Sequence, residues 1–178
     1  MEVEILRLTE RAPTAPSALH SDVGMVTFYR DHRLSLVRLA VLLVGDLEAA
    51  EDVVQDVFAR LQRIWRADVT TLAYVRTCVL NASRSVLRRR AVALRRTEQV
   101  MDPVDSPESA ALIGESRREV LLALARLPRR QREALVLRYY LDLSEAEIAQ
   151  VMRVRQSTVR STMSRALSGL LRELGEDA

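Results

Sequence analysis

The sequence predicts an all-α chain: two small helical domains joined by a flexible acidic linker, the second domain a helix-turn-helix. Three observations carry this. Apolar residues recur at a spacing near 3.6 from Met25 almost to the end of the 178 residues. Five Gly and five Pro are too few for the corners of an all-β fold, where hairpins need Gly or Asn. Residues 98–116 break the period with Pro103 and Pro107 and contain no Arg, and a continuous helix cannot run through them.

The expected order is a mobile tail over 1–22, a first domain over 23–97, the linker over 98–116, a second domain over 117–174 and a short tail over 175–178. The first helix is placed at about 25–44, with Gly45 as its left-handed stop and Asp46 as the next N-cap. The second, about 47–66, gathers Leu47, Ala50, Val53, Val54, Val57, Leu61, Ile64 and Trp65 on one side at roughly 100° per residue. Residues 66–71 read as a short loop, and a third helix covers about 72–90. Beyond the linker, helices are expected at about 117–126, 129–141, 145–152 and 157–173, with Pro128 separating the first two. Ser144 and Glu147 are spaced as a capping box. Arg153 occupies the following turn, where a Gly often supplies a positive φ.

Composition excludes several chemistries. The glycines lie too far apart to build a phosphate-cradling loop. One cysteine, Cys78, excludes an intramolecular disulfide or thiolate zinc site, and two histidines make an imidazole metal cluster improbable. No cofactor is therefore expected. The longest apolar run, Leu34 to Val44, contains Arg38 and falls well short of the ~20 residues that span a bilayer. With no membrane segment and no leader, a cytoplasmic protein is expected.

Charge is more informative when divided along the chain. Every one of the 27 basic residues is Arg. Residues 1–75 carry 8 Arg against 11 acids, 76–100 carry 7 against 1, 101–116 carry none against 4, and 117–178 carry 12 against 8. The net charge of +3 thus hides two basic blocks separated by an acidic one. Screening confines each charge to about 10 Å, so a polyanion senses these local excesses, and nucleic acid is the leading partner class.

The helix faces sharpen this. In the last helix Val159, Met163, Ala166, Leu167, Leu170 and Leu174 share one side. Arg160, Ser161, Ser164, Arg165 and Ser168 share the other, a strip with no acid. Arg donates two bonds to guanine's major-groove edge, and Ser lets a helix approach the bases closely. In the third helix Leu72, Val75, Cys78, Val79, Ala82 and Val86 form the buried side, with Cys78 a packed thiol. Thr77, Asn81, Arg84 and Arg88 stack opposite, extended by Arg89 and Arg90. The second helix instead exposes Asp52, Gln55 and Asp56, which phosphate would repel. These acids suit a basic protein surface, or merely favour the N-terminal half of a helix.

The blocks AAEDVVQDVFARLQRIW, AYVRTCVLNASRSVLRRR and LPRRQREALVLRYYLDLSEAEIAQVMRVRQSTVRSTMSRAL resemble, in order and spacing, the extracytoplasmic-function (group 4) sigma factors of bacterial RNA polymerase, over about residues 23–173. The resemblance implies a specificity subunit without catalysis of its own: core polymerase binding, a −35 element read as duplex and a −10 element melted. It assigns Asp52, Gln55 and Asp56 to the β′ clamp helices of core polymerase. Tyr74, Thr77 and Asn81, with Arg84 and Arg88 on phosphates, fall to the −10 element, and the 66–71 loop to a flipped base. Ser157, Arg160, Ser161, Ser164 and Arg165 fall to the −35 element. The β flap of polymerase and an anti-sigma factor are further implied partners. Tyr74 stands where many members have Trp, the 66–71 loop is short, and Arg153 replaces a common Gly. The acidic linker is expected to run through the polymerase's positive channel. Two other classes remain: a free-standing helix-turn-helix regulator that binds DNA without polymerase, and an enzyme acting on nucleic acid, which would need clustered carboxylates for a metal.

Overall fold

A computed structural model describes residues 18–66, 70–96 and 115–175, and all its regular structure is helical. Helix α1 spans Ala18–Val44, α2 Leu47–Leu61 and α3 Leu72–Arg96. Then come α4 (Glu115–Arg126), α5 (Arg129–Leu135), a π-helical turn (Val136–Tyr140), α6 (Glu145–Met152) and α7 (Gln156–Glu173). The first helix begins at Ala18 rather than Met25: residues 18–24 contain no Pro, and Gly24 lowers helix propensity without ending the helix. The stretch from Gln62 to Ile64 leaves α2 as turns, and the third helix continues to Arg96. The linker expectation falls almost wholly outside the described residues, as does the first part of the N-terminal tail.

Helices α1, α2 and α3 pack around Leu36, Leu39, Val54, Val75 and Val79, all fully buried. Between α1 and α2 the chain reverses at Gly45, whose φ of +80° ends α1 in the left-handed region. Asp46 then caps α2 by accepting from the Ala49 amide at 3.0 Å. The same carboxylate receives Arg90 from the far end of α3 at 3.2 Å, while Arg90 also donates to the Val44 carbonyl at 3.3 Å. Arg90 therefore belongs to the scaffold and not to the outward basic block. Asp46→Ala removes both the cap and the pair and is expected to cost about 1–2 kcal/mol, read by thermal unfolding. The buried face of α2 follows the 3.6 period through Ala50, Val53, Val54, Val57, Phe58 and Leu61. Ile64, expected on that face, is 56% exposed because the helix has already ended. Trp65 does turn in, edge-on to Phe28 at 5.2 Å between ring centroids.

The second bundle closes over Leu124, Leu127, Leu135 and Ala166. Gly169 of α7 lets Leu127 approach so closely that a Cβ there would lie 2.9 Å from a Leu127 methyl. Val159 and Ala166 of α7 are buried as expected, but Leu167 is 38% exposed. The expected continuous helix over 129–141 widens at its end into the π turn, where the Leu141 amide reaches back to the Val136 carbonyl at 3.2 Å. From that turn Tyr140 donates its hydroxyl to the Ser35 carbonyl of α1 at 2.8 Å, and burial raises the phenol above its ordinary value.

The bundles share apolar contact. Val136, Leu137, Ile148, Ala149 and Val159 join the buried cluster of α1–α3. Arg132 of α5 reaches across to donate to the Leu43 carbonyl at 2.8 Å, and it also bonds the carbonyls of Ala125 and Leu127. Arg84 of α3 pairs with Glu133 of α5 and donates to the Val151 carbonyl at 3.1 Å.

Candidate nucleic-acid and protein interfaces

Helix α2 buries its valines and so must turn Asp52, Gln55 and Asp56 outward, and all three are exposed. Asp56 has only a loose pairing with Arg60 one turn on, at 3.9 Å between two exposed side chains, which contributes little to stability. These side chains form one wall of a groove of about 810 Å³ whose other wall is α3, with Tyr74, Cys78 and Asn81 among its residues. The acidic face and the start of the α3 strip thus meet along a single cleft.

Tyr74 and Cys78, one turn apart, are half-buried on the groove side of α3. Burial pushes both above their ordinary values, and the neighbouring Tyr74 hydroxyl partly opposes this for the thiol. Cys78 is held protonated and is a poor nucleophile. Further along α3, Thr77 bonds its own helix at Ala73, while Asn81 accepts from Arg84 at 3.0 Å. Asn81 and Arg88 are exposed; Thr77 and Arg84 are half-buried because the second bundle lies against them. Of the 66–71 loop, residues 67–69 lie outside the description. Around them the Thr70 amide donates to the Arg66 carbonyl at 2.8 Å, and the Thr71 hydroxyl caps α3 at the Tyr74 amide.

The helix-turn-helix forms as its sequence grammar requires. Ser144 and Glu147 make both bonds of the capping box at the start of α6. Arg153 takes φ 54° and ψ 50°, the left-handed position expected of a Gly, and the Val154 amide closes the turn on the Ala149 carbonyl at 2.9 Å. On α7, Ser157, Arg160, Ser161, Ser164 and Arg165 are all exposed on one strip. Arg165 lies back along its own helix on the Ser161 carbonyl at 3.0 Å.

Two acids that the sequence does not single out reach these faces from other elements. Glu133 holds Arg84, and Glu145, the first residue of α6, holds Arg160 at 2.7 Å. Neither has a local signature, since each meets its arginine only through tertiary folding. Among the described residues no group of three or more His, Cys, Asp and Glu could hold a metal ion, and no helix is long and apolar enough to cross a membrane.

Comparison with known proteins agrees with this arrangement. The family pattern of Sigma-70 region 2 matches residues 28–92, and that of Sigma-70 region 4 matches residues 117–170. The RNA polymerase sigma-E factor of Streptomyces coelicolor is 31% identical over 155 residues, covering 83% of this chain and 84% of that protein. The ECF RNA polymerase sigma factor SigL of Mycobacterium tuberculosis is 31% identical over 163 residues, covering 85% and 90% respectively. Of another M. tuberculosis relative, a SigI, the chain spans only 51% of the length. The sigma factor RpoE of Bartonella quintana, in complex with the anti-sigma factor NepR, superposes with a TM-score of 0.66 at 24% identity over 85% of this chain and 99% of that one, a likeness of fold. With both region patterns in order on two helical bundles, the chain belongs to the sigma-70 family, in its extracytoplasmic-function group.

Proposed function

We propose that this chain binds core RNA polymerase and directs promoter-specific initiation, reading the −35 element as duplex through α7 and melting the −10 element with α3. The observation that carries this is the α7 strip. Five polar residues, two of them Arg, stand exposed on one side of a recognition helix whose other side is core. A helix so furnished enters a major groove with phosphates satisfied by hydroxyls and bases by guanidinium. The exposed Asp52, Gln55 and Asp56 supply the complementary surface for a basic partner, the β′ clamp helices of core polymerase. Tyr74, Thr77 and Asn81 face the −10 strand, with Arg84 and Arg88 on its phosphates. Arg84 becomes available only when Glu133 releases it, so the two bundles separate before both elements are held. Two weak readers on one tether then gain effective concentration from each other. Contact with the β flap and capture by an anti-sigma protein in the cytoplasm extend the same reading.

Gel-shift binding of promoter duplex, with the chain alone and with the chain plus core polymerase, tests the proposal. Tight, sequence-selective binding is expected only with core. Equal binding without it marks a free-standing regulator, whose sites would be palindromic with half-sites about one turn apart. Within the strip, Arg165→Ala is expected to cost about 1–3 kcal/mol at one −35 base pair and to relax preference there. A uniform loss across all duplexes would make Arg165 a phosphate contact.

A further inference from the structure

We propose that Glu145 is a positioning residue for promoter reading: it grips Arg160 through Nε and aims the guanidinium's two terminal amines at a guanine edge rather than at a phosphate. The inference rests on the assignment of the α7 strip to the −35 duplex.

Arg160 Nε donates to Glu145 Oε2 at 2.7 Å, a charge-assisted bond from the second turn of α7 to the first residue of α6. Among the described residues its two terminal amines have no hydrogen-bonded acceptor, so the end-on fork stays open. That fork is the half of the guanidinium that spans guanine O6 and N7. The other arginines near the reading faces are used differently. Arg165 spends its Nε on its own helix, and Arg84 points inward to Glu133 and the Val151 carbonyl. Arg160 alone on the strip is held from outside its helix.

The sign of the charge supports the same role. The strip's own residues include no acid, and a carboxylate beside it weakens attraction to phosphate. Held against Glu145, Arg160 gains less from a phosphate, which repels the carboxylate, than from a neutral base edge. The pair therefore trades general affinity for discrimination.

The test uses the full chain with core polymerase and duplexes in which each base pair of the −35 element is varied in turn. Arg160→Ala is expected to flatten a preference of about tenfold or more at one pair. Glu145→Ala should cut the preference at that same pair severalfold, while binding to scrambled duplex tightens and the salt dependence steepens. Glu145→Gln, which keeps an oxygen acceptor for Nε, should restore much of the preference but not the weaker scrambled binding. The double variant should match Arg160→Ala at that pair. A Glu145→Ala chain that keeps the wild-type preference, or weakens on every duplex by one factor, overturns the proposal, since a helix-stabilising acid would do only the latter. If Arg160→Ala alone changes no preference, the assignment of Arg160 to a base fails first, and the proposal with it.

Discussion

Asp56→Arg is expected to weaken association with core polymerase by about two orders of magnitude, because placing like charges across a charged interface costs several kcal/mol. The fold should barely respond. Asp56 is exposed, caps nothing, and has only the 3.9 Å contact with Arg60. Its loss is worth less than about 0.5 kcal/mol. Asp52→Arg should act in the same direction, and the two together should exceed either alone. Titration of labelled chain with core polymerase, alongside a thermal melt, separates the effects. Unchanged association with an intact melt would remove this face from the polymerase interface.

Arg132→Met is expected to destabilise the chain by about 3 kcal/mol, the scale on which buried charged hydrogen bonds are broken. Arg132 is 8% exposed, and its guanidinium serves the carbonyls of Leu43, Ala125 and Leu127, which lie at or just past the ends of α1 and α4. Helix-terminal carbonyls have no partner within their own helix. Met fills the volume and donates nothing, so all three lose their donors. Burial already lowers the arginine's pKa, which reflects the cost of holding the charge there, and relief of that cost offsets part of the loss. The melting temperature should fall by roughly 6–12 °C. Arg132→Lys should recover little, since a compact ammonium cannot span the same acceptors. A variant that melts with wild type would show that this contact between the bundles contributes nothing.

The helices were legible because period and punctuation agree. Gly45 and Asp46 end one helix and start the next, and the Ser144–Glu147 box opens α6 where its spacing says it must. The α7 strip was legible for the same reason: once Val159 and Ala166 are buried, Arg160, Ser161 and Ser164 have to face water. Burial at helix ends was less legible. Ile64 keeps the period of α2 but lies past its last turn, and Leu167 sits at the margin of its apolar side.

What each arginine does was hardly legible at all. Arg84, Arg132 and Arg160 look alike in a chain without lysine, yet each has an acceptor far along the chain: Glu133, Leu43 and Glu145 lie 49, 89 and 15 residues away. Packing of one bundle on the other brings the first two acceptors close, and the short turn of the helix-turn-helix brings the third. The π turn is equally silent in sequence, since VLRYY continues a helical pattern and widens only where Tyr140 reaches Ser35.

Run-off transcription with purified core polymerase, on templates that depend on this protein in cells, tests the central claim most directly. The account predicts transcripts from a defined start only when chain and core are combined, lost with Asp56→Arg and redistributed among −35 variants with Arg165→Ala. Core polymerase that yields the same transcripts with and without the chain would contradict it.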